Sequence, residues 1–165
     1  MARVYLGLGA NLGDRAANIH AALSALERRG LRVKAVSPLY ETEPWGLEDQ
    51  PRFLNGACRV CTGLSPANLL RALKAIENSM GRVATVRYGP RPIDLDILLY
   101  DDLLLASPDL TIPHDGMLQR SSVLVPLADI AADVVHPATR RTVREHLAAL
   151  GPLAGLAPYP PGLPG

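Results

Sequence analysis

Neither sign of charge predominates in this chain: 17 Lys and Arg stand against 16 Asp and Glu, for a net charge of +1. No global field therefore favours nucleic acid or an anionic membrane, and any anion must be bound locally. Long hydrophobic runs are missing too, and the start, MARVYLGLGANLGD, has neither a continuous apolar stretch nor a cleavage-site pattern. These absences predict a soluble, cytoplasmic protein with no nucleic-acid or membrane partner. Cysteine is scarce. Cys58 and Cys61 match C-x-x-C, but LNGACRVCT reads as a strand, where residues three apart face opposite ways, and no second Cys/His pair lies at ligand spacing. Two reduced structural cysteines suit a reducing compartment.

Aromatic residues are few: one Trp, one Phe and five Tyr. Trp45 and Phe53 fall in or just after an acidic loop, Glu41 to Arg52. A flat heterocycle could stack there, with Asn55 on the strand face of Phe53 offering an amide that donates and accepts. The plain alternative is a loop packed down by its own aromatics.

What is present organises into one domain over residues 1–150 with a tail over 151–165. Val4 to Leu8 reads as a strand; Ile19, Ala22, Leu23 and Leu26 then recur at helical spacing after Asp14, a cap, and before Gly30, an exit. Leu31 to Tyr40 and Phe53 to Thr62 read as strands. Ser65-Pro66 opens a second helix whose apolar face is Leu69, Leu70, Leu73, Ile76 and Met80, with Gly81 as its stop. A loop from Arg82 to Pro92 precedes a strand, Ile93 to Tyr100, with Leu103 to Leu105 as a hairpin partner. Ser121 to Ala128 forms a short helix, and Thr142 with Glu145 is a capping box for a last helix through Leu150. After it, five prolines and four glycines in fifteen residues predict an extended or disordered tail. The core order is βαββαβ, an α+β, ferredoxin-like arrangement with a mainly antiparallel sheet, helices on one face, the other face available for ligands, and extra C-terminal elements.

The segment YGPRPIDLDILLY interrupts a buried-strand pattern with two carboxylates. Strand alternation puts Asp94 and Asp96 on one face and Ile93, Leu95, Ile97 and Leu99 on the other, a core face. Adjacent carboxylates repel unless a cation lies between them. Arg82, Arg87 and Arg91 lie in an acid-free stretch just before. Carboxylates with Mg²⁺ and a ring of guanidiniums are what polyphosphate transfer requires, although a solvated basic loop would look alike. GLGANLGDR lacks dinucleotide-loop spacing and reads as a tight strand-to-helix turn. His114 sits on an irregular segment, open to a functional or a packing role; His20 and His146 read as solvated, and His136 as a turn residue.

Taken together, RYGPRPIDLDIL, IENSMGR, FLNGA, ETEPWG and TIPHDGM, in this spacing, resemble the 6-hydroxymethyl-7,8-dihydropterin pyrophosphokinase family from about Val4 to Leu150. The resemblance implies a ferredoxin-like fold, two Mg²⁺ ions, ATP as co-substrate and transfer of its pyrophosphoryl group to the pterin hydroxymethyl group. By position it implies that Asp94 and Asp96 hold the metals and that Arg82 and Arg91 stabilise the phosphates. Leu70, Lys74, Glu77, Tyr88, Ile97, Thr111, His114 and Arg120 would contact ATP. Thr42, Pro44, Trp45, Gly46, Phe53 and Asn55 would contact the pterin. Three positions depart from the family pattern: Ser122 replaces an aromatic beside the pterin, Lys74 a glutamine, and Asp109 an arginine found in some members. The competing readings are a two-metal phosphodiesterase or nuclease and a non-catalytic ligand-binding module. The sequence leaves the oligomeric state open and is compatible with a monomer.

Overall fold

The computed structural model describes residues 1–42, 52–81, 92–153 and 155–159. Chain order begins β1 (Ala2–Ala10), α1 (Arg15–Arg28), β2 (Arg32–Val36), β3 (Leu39–Thr42), β4 (Phe53–Thr62), α2 (Pro66–Ser79) and β5 (Asp94–Tyr100). A small hairpin of β6 (Leu105–Ala106) and β7 (Thr111–Ile112) follows. A 3-10 turn (Met117–Gln119), α3 (Ser121–Ala131), α4 (Val143–Ala149) and β8 (Leu156–Tyr159) complete it. The main sheet runs β5-β1-β4-β3-β8, with β2 also on β4, and every pairing is antiparallel. This is the ferredoxin-like βαββαβ arrangement read from the sequence.

The helix signals act locally as expected. Asp14 accepts the Ala17 N–H at 3.1 Å and Ser65 the Asn68 N–H at 3.2 Å. Thr142 and Glu145 bond each other's backbone N–H reciprocally. Ile19, Ala22, Ala25 and Leu26 of α1 and Leu69, Leu73 and Ile76 of α2 pack on Val4, Leu6, Leu8, Leu54, Leu95 and Ile97. Each large side chain buried there contributes about 1.5–3 kcal/mol relative to exposure.

Several expectations need correction, among them the hairpin: Leu105–Ala106 pairs with Thr111–Ile112, not with the strand ending at Tyr100. Leu31 to Tyr40 is two strands, because the chain turns at Ser37-Pro38, where the Ser37 hydroxyl accepts the Ala57 N–H. The second sheet face is not all left to ligands: α3 and α4 cover part of it in a second core with Tyr5, Ala57, Leu98, Leu99, Met117, Leu124 and Leu127. Leu99 belongs to that second core, not with Leu95 and Ile97, because a bulge at Leu98 shifts the register against Tyr5 and Leu6 and reverses the alternation. Of the glycines in GLGANLGDR, only Gly13 takes a left-handed φ, 70°; Gly7 and Gly9 are strand residues of β1. Past residue 150, Leu156–Tyr159 pairs with β3 as β8. Cys58 is buried and Cys61 partly exposed, on opposite faces and unbonded to each other. Among the described residues no helix is long and apolar enough to cross a membrane.

Candidate active site

The second core ends before the sheet does, and a cavity of about 550 Å³ opens where it stops. Its floor is set by register. Asn55 of β4 pairs with Gly9 of β1, and Gly9 pairs with Asp94 of β5. One row on, Ala57, Gly7 and Asp96 align likewise. With strands about 4.8 Å apart, Asn55 and Asp94 lie roughly 10 Å apart across a glycine. The glycine keeps the floor low: a Cβ at Gly9 would come 3.1 Å from Asn55 Nδ2.

On one side of this floor Thr42 and Phe53, register partners at the ends of β3 and β4, form a wall with Asn55. Thr42 Oγ1 donates to Asn55 Oδ1 at 2.5 Å, which fixes the amide and turns its N–H₂ group away from that bond. On the other side are Asp94 and Asp96, half-exposed on β5, with Leu70, Lys74 and Glu77 from α2. Thr111 from β7, His114, Arg120 and Ile97 also line the cavity. Glu77 is buried, and its Oε2 accepts the backbone N–H of Leu95 at 2.8 Å.

His114 Nε2 stands 3.9 Å from Asp96 Oδ1. Burial, and next the Arg120 guanidinium, push the His114 imidazole below its ordinary 6.5, against the opposing pull of Asp94 and Asp115. Its Nδ1 is buried with no hydrogen-bond partner among the described residues. At neutral pH His114 is therefore a neutral hydrogen-bonding group beside two carboxylates.

Every candidate site residue among the described ones lines this single cavity. Arg82, Tyr88, Arg91, Pro44, Trp45 and Gly46, and likewise Arg87, lie outside the described residues. The sequence reading missed Leu95, Pro108, Leu110, Asp115 and Val123, which also line it. Asp115 could have been suspected from its place beside His114. Asp109 and Ser122 line it as well, as does Lys74, so all three departures noted in the sequence touch the site. The other histidines stand apart: His20 is exposed, while His136 is buried and 5.7 Å ring to ring from His146.

Residues 5–132 match the family described as 7,8-dihydro-6-hydroxymethylpterin-pyrophosphokinase (HPPK). The 2-amino-4-hydroxy-6-hydroxymethyldihydropteridine pyrophosphokinase of Pseudomonas aeruginosa is 49% identical over 96% of this chain and 97% of its own length. That of Methylorubrum extorquens is 46% identical over 92% and 96%. The folic acid synthesis protein fol1 of Schizosaccharomyces pombe is 51% identical over 94% of this chain, which spans only 21% of that protein. In three dimensions the chain superposes on a crystal structure of Plasmodium falciparum HPPK-DHPS with a TM-score of 0.72 at 17% identity, covering 90% of this chain and 44% of that one.

Proposed function

The chain belongs to the 7,8-dihydro-6-hydroxymethylpterin-pyrophosphokinase family, and from that membership and the cavity we propose that it transfers the pyrophosphoryl group of ATP to the hydroxymethyl group of 6-hydroxymethyl-7,8-dihydropterin, releasing AMP, in folate biosynthesis. The observation that carries this reading is the row of Asn55, Gly9 and Asp94. It joins a wall suited to a flat, hydrogen-bonding heterocycle to a carboxylate pair suited to a phosphate-bound cation. Neither competing reading, nuclease or ligand-binding module, accounts for both ends of that row as well.

In this proposal Phe53 offers a ring face and Asn55 reads the polar edge of the pterin, with Thr42 holding the amide in place. Pro44, Trp45 and Gly46 are assigned to the same substrate by motif. Leu70, Lys74, Ile97 and Thr111 surround the nucleoside, joined by Glu77 and, by motif, Tyr88. His114 and Arg120 bond phosphate oxygens, and Arg82 and Arg91 neutralise charge as it develops. Among the described residues no cluster of three or more His, Cys, Asp or Glu converges. That fits Mg²⁺, which takes one or two carboxylates and completes its shell with water and substrate phosphates. Asp94 and Asp96 would hold two such ions, whose charge neutralises the phosphate oxygens.

The reaction balances simply. The hydroxymethyl oxygen bonds to the β-phosphorus, the bond from that phosphorus to the oxygen bridging to the α-phosphate breaks, AMP leaves, and the alcohol proton passes to solvent. Positioning and charge neutralisation supply most of the acceleration in such a transfer, so a strong side-chain base is not required. The proposal includes a cytoplasmic location, where Cys58 and Cys61 stay reduced, and small molecules as partners. Incubation with Mg²⁺, ATP and the reduced hydroxymethylpterin should yield AMP and pyrophosphorylated pterin in equal amounts. ADP in place of AMP, or no nucleotide product at all, would refute it.

A further inference from the structure

Arg15, the first residue of α1, does not line the cavity, yet its guanidinium ties together strands that do. Nη2 donates to Glu41 Oε2 at 2.8 Å and Nη1 to the carbonyl oxygen of Arg52 at 2.9 Å. Its Cζ also lies 5.4 Å from the Tyr159 ring centroid, against the outermost strand. Glu41 immediately precedes Thr42, and Arg52 immediately precedes Phe53. Thr42 and Phe53 are register partners at the last pairing between β3 and β4, where a two-strand ladder is most prone to fray.

Alternation along β3 puts Glu41 on the α1 side of the sheet, with its register partner Leu54 in the α1 and α2 core, while Thr42 faces the cavity. We propose that Arg15 is a positioning residue for the pterin wall: from the far side of the sheet it holds β3 and β4 together at the pair that presents Thr42 and Phe53. This assignment rests on the pyrophosphokinase reading. The Thr42 to Asn55 hydrogen bond depends on the same strand spacing, so a loosened pair would release the amide that reads the ligand. A planar fork suits the task, since two of its donors serve a carboxylate on one strand and a carbonyl on the next; one ammonium cannot span both equally. The two side chains retain only 21% and 30% of their exposure, so this pair is screened less than an open surface pair.

The test is equilibrium binding by calorimetry, with Mg²⁺ and a non-transferable ATP analogue present for pterin titrations and the analogue alone for nucleotide titrations. Arg15→Ala should raise the pterin Kd about tenfold, the loss of one or two charge-assisted bonds, while the nucleotide Kd stays at the wild-type value. Arg15→Lys should recover only part of the loss. Glu41→Gln, which keeps the side-chain shape and so the fold, should weaken pterin binding in the same direction and serves if Arg15→Ala does not fold. Wild-type pterin affinity in folded Arg15→Ala or in Glu41→Gln would overturn the assignment, as would parallel losses of pterin and nucleotide affinity. Failure of the wild-type protein itself to bind the pterin would instead overturn the pyrophosphokinase reading, and this assignment with it.

Discussion

Glu77 of α2 caps the open side of the edge strand between the two cavity carboxylates: its Oε2 takes the Leu95 N–H at 2.8 Å, and among the described residues β5 has a strand neighbour on its other side only. The nucleotide role assigned to Glu77 by motif is thus accompanied by a structural one. Glu77→Leu leaves that buried donor unpaired and should cost about 1–3 kcal/mol in denaturant melts. Turnover should fall too, because the strand that aims Asp94 and Asp96 loses its anchor.

Asp94→Ala and Asp96→Ala should each lower AMP release by about a thousandfold, on the order of 4 kcal/mol of transition-state stabilisation. Both side chains are half-exposed, so the melting temperature should hardly move. Leu95→Asp puts a charge into the α1 and α2 core and should prevent folding. Near-normal activity of either alanine variant with Mg²⁺ would remove the carboxylates from the reaction.

Gly9→Ala tests the floor. The added methyl group meets Asn55 Nδ2 at 3.1 Å, so the amide must yield by a few tenths of an ångström. Pterin binding should weaken by about 1–2 kcal/mol, the worth of a misaligned hydrogen bond, with nucleotide binding spared. Thr42→Val, which removes the hydroxyl that fixes the same amide, should act in the same direction. Unchanged pterin affinity in both variants would take Asn55 out of ligand recognition.

Acid should destabilise the fold through His136, whose Nδ1 accepts the Ala138 and Thr139 N–H groups at 3.2 and 3.3 Å. Burial, and then His146, hold its pKa below 6.5. Between the folded and unfolded values the unfolded chain binds more protons. Stability is therefore complete above about pH 6.5 and declines as pH falls toward the folded value. His136→Asn keeps an acceptor without a titrating group and should flatten the acid side of a melting-temperature profile. An unaltered slope would assign the effect to His114, shifted in the same direction.

The parts of this fold that are local in sequence were legible there. Asp14, Ser65 and Thr142 announce their helices because a cap needs only its next three residues. Asp94 and Asp96 stand out because alternation within one strand suffices to pair them. The bulge at Leu98 was hidden, since register is a property of two strands and β1 lies far off in sequence. The bonds of Arg15 to Glu41 and Arg52 span 26 and 37 residues and leave no periodic trace. The nucleotide and pterin roles came from a family resemblance, not from spacing; physical chemistry alone reached the carboxylates, the arginines and the Phe53 and Asn55 wall.

β8 has one more consequence, for self-association. It occupies the side of β3 turned away from β4, and beyond it the sheet has no further strand among the described residues. A chain cut before Leu156 would keep its cavity residues but leave β3 with a bare row of N–H and C=O groups, a template for a strand from another copy. Such a truncation should read out first as concentration-dependent oligomers in light scattering, before any loss of nucleotide binding at the opposite end of the sheet. Four residues with no part in the chemistry would then decide whether the enzyme stays dispersed.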